Sequence, residues 1–378
     1  MIVRLGKVMA VFGTRPEAIK MAPVVRKLKE REDIETLVAV TAQHREMLDQ
    51  ALSLFEIKPD YDLDLMRAGQ DLFSITCGVL SGLQEILKKE EPDLLLVHGD
   101  TTTTFAAALA AFYLHIPVGH VEAGLRTRNK YSPFPEEMNR TLTGSIADLH
   151  FAPTDKASDN LIAEAVALYK IWVTGNTVID ALLHTVRDGY VFGPEFSKVD
   201  FNKRLLVVTT HRRENWGEKM RQIYRALIDL TEEFTDIEVI FPVHKNPAVR
   251  EIAYEMLGER AGFHLTEPLD YEPFANLLQA SYLILTDSGG LQEEAPSLGK
   301  PVLVLRDTTE RPEAIEAGTV KLVGTVYDHI YKEAKLLLSD ESEYNKMARA
   351  VNPYGDGKAA ERIVNIIADF LYVRKGAQ

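Results

Sequence analysis

Cysteine is nearly absent from this chain of 378 residues, because Cys77 is the single one. One cysteine can form neither an internal disulfide nor a zinc site built from several cysteines, which predicts a reducing compartment. The apolar run from Val8 to Phe12 is shorter than the apolar core of a signal peptide, and no run approaches the roughly 18 residues that cross a bilayer. We therefore expect a cytoplasmic protein without a membrane partner.

Positive charge is also scarce. The 43 lysine and arginine residues face 56 aspartate and glutamate residues, which gives a formal net charge of −13. Such a charge repels the phosphate backbone of nucleic acids and offers little to an anionic lipid surface, so neither is an expected partner. A small anionic ligand is still compatible with it, because a few arginine and lysine side chains gathered in a cleft override the net charge.

The sequence lacks the usual cofactor motifs. No G-x-G-x-x-G follows Phe12, and Gly299-Lys300 is followed by Pro301, which rules out a Walker A loop there. The segment 120–122 has the His-x-Glu spacing of zinc deaminases, but the cysteine pair of that motif does not exist here. We expect neither a nucleotide cofactor nor a metal.

The order of segments predicts an α/β protein with two domains. The chain length favours two domains, and short β-branched runs alternate with longer segments of helical period, which is typical of parallel sheets. A stretch without period around Gly193 and Pro194 separates two series of strands. We expect a first Rossmann-like domain over 1–190, a second over 191–357, and a C-terminal helix within 358–378. The predicted strands are Lys7–Phe12, Thr36–Val40, Leu94–His98, Pro117–Val121, Leu149–Ala152, Ile171–Thr174, Leu205–Thr209, Glu238–Pro242, Tyr282–Thr286, Pro301–Leu305 and Val320–Val323.

Polar or glycine-rich segments directly follow seven of the predicted strands. In open parallel sheets, ligands bind outside the carboxyl ends of the strands, so these segments are the first candidates for a site. Taken singly, each has an ordinary structural explanation: Asp100 can cap a helix, and Arg126 or Arg212 can be solvated. Their convergence favours a ligand-binding cleft between the two domains. The segments are 13–20, 98–100, 122–126, 211–215, 244–246, 287–290 and 306–307.

The segment 288–290 is suited to bind an anion. It carries Ser-Gly-Gly before the helical stretch Leu291–Leu298, so backbone N–H groups and the positive end of the helix dipole would face a phosphate. Arg15 and Lys20, in the first helix, can add charged hydrogen bonds to the same phosphates. Glu294 can accept hydrogen bonds from ribose hydroxyls. An ordinary tight turn at the two glycines is the alternative.

Three carboxylates lie at or near the ends of strands in the first domain: Asp100, Glu122 and Glu136. Carboxylates that share one site push their pKa values apart, which leaves one as an acid and another as a base. Such a set suits proton transfer at a carbon atom. Which carboxylate acts as acid and which as base stays open at this point.

Long strings of residues match one known family in order along nearly the whole chain. They are GTRPEAIKMAP (13–23), QHREMLDQ (43–50), HGDTTTT (98–104), HVEAGLRT (120–127), YSPFPEEMNRTLTG (131–144), GNTVIDAL (175–182), THRREN (210–215), PVHKNP (242–247), LTDSGGLQEEAPSLGKPVLVLRDTTERPEA (285–314) and NPYGDG (352–357). On these strings the chain resembles the non-hydrolysing UDP-N-acetylglucosamine 2-epimerases of bacteria.

The resemblance implies two doubly wound Rossmann-like domains of the glycosyltransferase-B type, with a UDP-sugar bound in the cleft between them. It also implies a homodimer, no cofactor, and a C-terminal helix that returns to the first domain. The implied reaction interconverts UDP-N-acetylglucosamine and UDP-N-acetylmannosamine for surface polysaccharides. With the residues considered above, the expected substrate-binding set is Arg15, Lys20, Ser288, Gly289, Gly290, Glu294 and Arg311. The expected catalytic set is Asp100, Glu122, Glu136 and His211, of which His211 also holds UDP.

The resemblance further implies a second, activating UDP-N-acetylglucosamine beside the first. Some relatives have glutamine where this chain has Glu46, whose charge either weakens the binding of a diphosphate or points to solvent. The residues expected at the second site are Gln43, His44, Gln70, Arg212 and His244, with Glu136 shared.

Three other functions stay open: a glycosyltransferase of the same fold, a sensor that binds nucleotide sugars without turnover, and a hydrolysing epimerase.

Overall fold

The computed structural model describes residues 4–42, 45–65, 67 and 69–376. The chain divides into two compact units, Met1–Ala181 with Tyr354–Gln378, and Leu182–Pro353. The sequence analysis predicted these boundaries at 190/191 and 357/358. The first boundary falls instead within a helix, Thr177–Thr185. A continuous helix gives no break in composition, which is why the aperiodic stretch after it attracted the predicted boundary.

The first unit is built on a parallel sheet of seven strands in the order β3-β2-β1-β4-β5-β6-β7. Its strands are β1 (Gly6–Phe12), β2 (Ile34–Val40), β3 (Tyr61–Asp62), β4 (Leu94–His98), β5 (Val118–Val121), β6 (Leu149–Ala152) and β7 (Ile171–Val173). The helices between them are α1 (Arg15–Lys29), α2 (Arg45–Leu54), α3 (Leu72–Glu90), α4 (Thr102–Tyr113), α5 (Glu136–Ile146) and α6 (Asp155–Ala163), and α7 (Thr177–Thr185) follows β7.

The second unit has a parallel sheet of six strands in the order β10-β9-β8-β11-β12-β13. Its strands are β8 (Arg204–Thr209), β9 (Ile237–Pro242), β10 (Phe263–Thr266), β11 (Leu283–Thr286), β12 (Val302–Val304) and β13 (Val320–Leu322). The helices are α8 (Glu218–Glu233), α9 (Pro247–Leu257), α10 (Tyr271–Ala280), α11 (Gly289–Glu294), α12 (Pro312–Glu316), α13 (Tyr327–Ser339) and α14 (Glu341–Ala348). The last helix, α15 (Ala359–Gly376), belongs to the first unit and packs against α1.

Helix α1 shows how local sequence positions the site. The hydroxyl of Thr14 accepts from the backbone N–H of Glu17, and the Glu17 carboxylate accepts from the N–H of Thr14, which together form a capping box. Pro16 lies in the first turn, where its missing N–H costs nothing. An apolar face that includes Met21 and Leu28 is fully buried. The helix therefore starts at a fixed place directly after β1.

Strand order fixes where a ligand can bind in each unit. The order of the strands reverses between β1 and β4, and again between β8 and β11. Loops that leave such a pair run in opposite directions, so a crevice opens at the carboxyl ends of the two strands. The register brings Val8 opposite Leu94 and Thr209 opposite Thr286. Residues after β1, β4, β8 and β11 are therefore gathered at two crevices, one in each unit.

The predicted secondary structure agrees with the observed elements at most positions. Each predicted strand lies within two residues of an observed one at both ends, but β3 and β10 were not predicted. In place of the predicted helical stretch Leu291–Leu298, the structure has α11 over Gly289–Glu294, followed by a 3₁₀ turn over Ala295–Leu298. Across the described ranges, no helix combines the length and the apolar character that crossing a membrane requires.

Candidate active site

A buried glutamate lies at the centre of the crevice in the first unit. Glu122 follows β5, has a positive φ of 62° and is nearly buried, with 8% of its side chain exposed. Its Oε1 lies 2.5 Å from the Lys20 ammonium and accepts a hydrogen bond of 3.1 Å from the Asn176 amide. Its Oε2 lies 3.3 Å from Nε2 of His98. Three elements therefore hold this carboxylate, and Lys20, which the sequence analysis assigned to phosphate, pairs with it here.

Asp100 lies on the loop between β4 and α4 in a different electrostatic setting. Burial raises the pKa of its carboxyl group, and the charge of Glu122 raises it further, whereas the Arg140 guanidinium opposes both. Nη2 of Arg140 donates to Oδ2 of Asp100 at 2.5 Å, and Asn139 donates to its carbonyl oxygen at 2.9 Å. The two carboxylates are electrostatically coupled, and burial makes Asp100 easier to protonate.

Glu136 begins α5, and its side chain is half-buried. The next residue, Glu137, is buried and accepts hydrogen bonds from the N–H groups of Thr127 and Arg128 at 2.7–3.0 Å. Glu137 therefore anchors the loop that leads into α5, while Glu136 has no hydrogen-bond partner among the described residues. The division of roles between two adjacent glutamates could not be predicted from the sequence.

Glu17 is a residue of this crevice that the sequence analysis missed. Its carboxylate is buried and accepts from the N–H groups of Gly13 and Thr14 and from the hydroxyls of Thr14, Thr101 and Thr104, at 2.7–3.0 Å. It thus fastens the loop after β1 to the loop after β4. These are the loops that carry Arg15, which is half-buried, and Asp100.

The crevice of the second unit is organised by Asp287, a second residue that was not singled out from the sequence. Asp287 is fully buried and accepts from the N–H groups of His211 and Arg212 and from the Asn215 amide at 2.9–3.1 Å. Burial alone would raise the pKa of Asp287, but the hydrogen bonds and the charge of His211 overcome that effect and lower it. Nδ1 of His211 lies 2.8 Å from the carboxylate, which orients the ring.

The other residues predicted to bind UDP are found on or beside α11. Ser288 precedes the helix, and its hydroxyl makes no capping hydrogen bond to it. A Cβ at Gly289 would lie 3.9 Å from the Arg212 guanidinium, and one at Gly290 would lie 3.3 Å from Oε1 of Glu294. Nε of Arg311 donates to the Glu293 carboxylate. Five of the expected substrate-binding residues therefore lie in this unit: Ser288, Gly289, Gly290, Glu294 and Arg311.

The residues predicted for a second ligand fall in different places. Gln43 and His44 lie outside the described residues. The Gln70 amide donates to the carbonyl of Leu65 at 2.6 Å in the first unit. In the second unit, the ring of His244 lies 5.9 Å from that of His211. Glu46 is exposed in the first turn of α2.

The described residues contain no cluster of three or more His, Cys, Asp or Glu side chains that could hold a metal ion. Two ion pairs lie at the first crevice, Lys20 with Glu122 and Arg140 with Asp100.

Comparison with known proteins gives the family. The family model for UDP-N-acetylglucosamine 2-epimerase matches residues 26–368. The chain belongs to this family. It is 60% identical over 358 residues to the UDP-N-acetylglucosamine 2-epimerase of Bacillus subtilis, covering 95% of this chain and 94% of the relative. The resemblance stated from the sequence is thereby confirmed, and the chain is an isomerase of this family.

Solved structures agree with the family assignment and with the fold. The crystal structure of UDP-GlcNAc 2-epimerase from Neisseria meningitidis bound to UDP-GlcNAc has a TM-score of 0.85 and 51% identity, covering 96% of this chain and all of that one. The glycotransferase of kitacinnamycin, at 13% identity, has a TM-score of 0.63 over 95% of this chain and 98% of its own, which shows the fold alone. Two Rossmann-like α/β domains of the glycosyltransferase-B type, as predicted for this epimerase, are confirmed.

Proposed function

We propose that this chain interconverts UDP-N-acetylglucosamine and UDP-N-acetylmannosamine without hydrolysing them. The observation that carries the proposal is the pair Asp100 and Glu122, two electrostatically coupled carboxylates that each lie beside a cation, and burial raises the pKa of Asp100. Groups whose pKa values are pushed apart are suited to act as acid and base in one reaction. The relatives at 51–60% identity, and the substrate named for the structure from Neisseria meningitidis, support the choice of sugar nucleotide.

Elimination of UDP explains why the reaction needs such groups. The proton on carbon 2 of the sugar has no neighbouring carbonyl to acidify it, so direct removal is very costly. If UDP leaves first, positive charge develops on the ring, and a carboxylate can then take the proton to give 2-acetamidoglucal and UDP. Return of a proton to the opposite face of carbon 2, followed by re-addition of UDP, completes the inversion.

The carboxylates of the first unit would act on the sugar in this scheme. Glu122, whose Oε1 lies 2.5 Å from the Lys20 ammonium, is suited to remove a proton. Asp100, whose pKa burial raises, is suited to deliver one. Glu136 is the third member of the set, and its half-buried side chain has no described protein partner that would compete with a sugar.

The groups of the second unit would hold the nucleotide. Backbone N–H groups at 288–290 favour an anion, and the Ser288 hydroxyl is not used to cap the helix that follows. His211 is oriented by Asp287, so its free ring edge can donate to the departing diphosphate. Arg15, Gly289, Gly290, Glu294 and Arg311 complete the proposed substrate-binding set.

We also propose that the enzyme works as a homodimer in the cytoplasm and supplies mannosamine for surface polysaccharides. A second UDP-N-acetylglucosamine, bound through Gln43, His44, Gln70, Arg212 and His244, would activate it by preferring the active state. Because Glu46 is exposed, its charge can turn away from that ligand. Purified UDP-N-acetylmannosamine should then react only after a lag, which a trace of the other epimer removes. Conversion at full rate without a lag would contradict the second site.

The decisive experiment is incubation of the protein with UDP-N-acetylglucosamine alone in deuterated water, followed by NMR. UDP-N-acetylmannosamine should form, and both nucleotides should carry deuterium at carbon 2. Free N-acetylmannosamine with UDP would indicate a hydrolysing enzyme. Absence of turnover without an added acceptor would indicate a glycosyltransferase or a sensor. Epimerised but unlabelled product would contradict proton exchange with solvent.

A further inference from the structure

His98 is a buried histidine at the first crevice to which the proposed mechanism gives no role. It is the last residue of β4, and 3% of it is exposed. Neither ring nitrogen has a hydrogen-bond partner among the described residues. Nevertheless Nε2 lies 3.3 Å from Oε2 of Glu122, so only a small rotation separates the ring from a hydrogen bond. A buried polar side chain without a partner costs free energy, and its retention beside a carboxylate requires a reason.

Both oxygens of the Glu122 carboxylate have close neighbours. Lys20 and Asn176 both contact the other oxygen, Oε1. On the Oε2 side, a Cβ at Gly99 would lie 3.5 Å away, which brings the backbone after His98 close to the carboxylate. A cation and an amide thus bind one oxygen of the carboxylate, and the end of β4 lies close to the other.

The charge state of His98 suits a donor rather than an ion pair. Burial lowers its pKa to about 4, while Glu122 pulls in the opposite direction, so the ring is neutral near pH 7. A neutral imidazole protonated on Nε2 can donate one hydrogen bond to an oxygen of Glu122. The titratable and charged groups around the two residues are Lys20 from α1, Asp100 from the following loop, Arg140 from α5 and His120 from β5.

We propose that His98 is a positioning residue, whose neutral ring donates from Nε2 to Oε2 of Glu122 once substrate is bound and holds that carboxylate in one orientation. This inference rests on the proposed epimerase function. Hydrogen bonds at a reacting group are often long in a free enzyme and tighten in the complex. Loss of the donor would free the carboxylate to rotate and would raise its pKa, because the charged form loses a hydrogen bond.

Two substitutions of similar polarity separate positioning from simple space filling. In His98→Gln the amide nitrogen reaches the place of Nε2, whereas in His98→Asn it reaches only the place of Nδ1. His98→Asn should lower kcat about 10- to 100-fold, less than the 10²–10⁴-fold of a whole acid or base group. It should also move the acid limb of the pH profile of kcat to higher pH, with little change in KM. His98→Gln should restore most of kcat and the position of the acid limb.

His150 provides the matched control. It lies on β6, is equally buried, and burial lowers its pKa to about 4, but it is not in contact with Glu122. His150→Asn should change thermal stability without moving the pH profile. If His98→Asn keeps the wild-type kcat and pH profile, or if the Gln and Asn variants lose activity equally without a shift of the acid limb, the positioning role is wrong.

One measurement is independent of turnover. In spectra of ¹⁵N-histidine-labelled protein with UDP bound, Glu122→Gln should shift the ring resonances of His98 and leave those of His150 in place. Unchanged His98 resonances would contradict the contact. A wild-type protein that fails to epimerise would overturn the proposed function, whereas these spectra would still test whether His98 holds Glu122.

Discussion

Replacement of Glu17 by alanine removes the acceptor for five hydrogen bonds in the first unit. The three threonine hydroxyls among the donors can rotate toward new partners, but the N–H groups of Gly13 and Thr14 are fixed by the backbone. Each donor left unsatisfied costs about 1–3 kcal/mol. Two such donors give a central value of about 4 kcal/mol, which for a unit of this size corresponds to a fall in Tm of roughly 8–16 °C.

The conservative change Glu17→Gln should cost much less. Its amide oxygen can take the place of Oε2 and keep both backbone donors, while its NH₂ group faces the hydroxyls of Thr101 and Thr104. Those hydroxyls can turn to accept, and Thr104 can then donate its own proton to the carbonyl of His98. We expect a loss of about 1 kcal/mol, the usual net value of one hydrogen bond.

The two tryptophans allow the first unit to be observed alone. Trp172 lies in the first unit and Trp216 in the second, and the chain has no others. In a Trp216→Phe background, thermal unfolding followed by fluorescence therefore reports on the first unit, which matters because a chain of two units need not unfold in one step.

The control for Glu17 is Glu30→Ala, which removes an exposed ion pair with Lys27 from the same helix. Exposed pairs contribute about 0–1 kcal/mol. If Glu17→Ala lowers Tm no more than Glu30→Ala does, the buried acceptor does not hold the two loops together, and the reasoning is refuted.

Asp100→Asn should lower kcat 10²–10⁴-fold with UDP affinity unchanged. The raised pKa of Asp100 means that its contribution to stability, present below about pH 3.8, is lost as pH rises through the folded value. The Asn variant should therefore match or exceed the wild-type Tm at pH 7 and lose that advantage toward pH 4. Asp287 has a lowered pKa, so its contribution is present above about pH 3.8 and lost below it. Asp287→Asn should make the stability of the second unit depend less on pH in the acid range, which the fluorescence of Trp216 reports in a Trp172→Phe background. An unchanged acid transition would be the contrary result. Epimerisation should persist in EDTA, and a loss restored by a divalent metal would show a metal requirement.

The sequence predicted the interior of both sheets better than their edges. The buried central strands read as continuous apolar runs, as in Leu94–His98, where all five residues are buried. The two strands it missed, β3 and β10, both lie at sheet edges, and β3 is only two residues long. An edge strand has one neighbouring strand, and β3 and the middle of β10 are incompletely buried, so their sequences carry a weaker apolar signal.

The sequence identified the carboxylates that are proposed to act on the sugar, but not the buried carboxylates that hold the neighbouring loops. Asp100 and Glu122 follow strands, and strand ends can be found from the sequence. Glu17 and Asp287 stand in polar strings beside other polar residues, and nothing in those strings shows that their side chains turn inward. Only the fold, which stacks the loop after β1 on the loop after β4, makes Glu17 the acceptor that both loops share.

The division of the chain sets the order in which the protein can fold during synthesis. The ribosome completes the second unit, Leu182–Pro353, before it makes α15, which the first unit still lacks. Until then the apolar face of α1 that α15 covers stays open, and so does Asp180, which accepts from the N–H groups of Ala359 and Ala360. The first unit therefore stays incomplete, with apolar surface open to association, until a helix that follows the whole second unit in the sequence has been made.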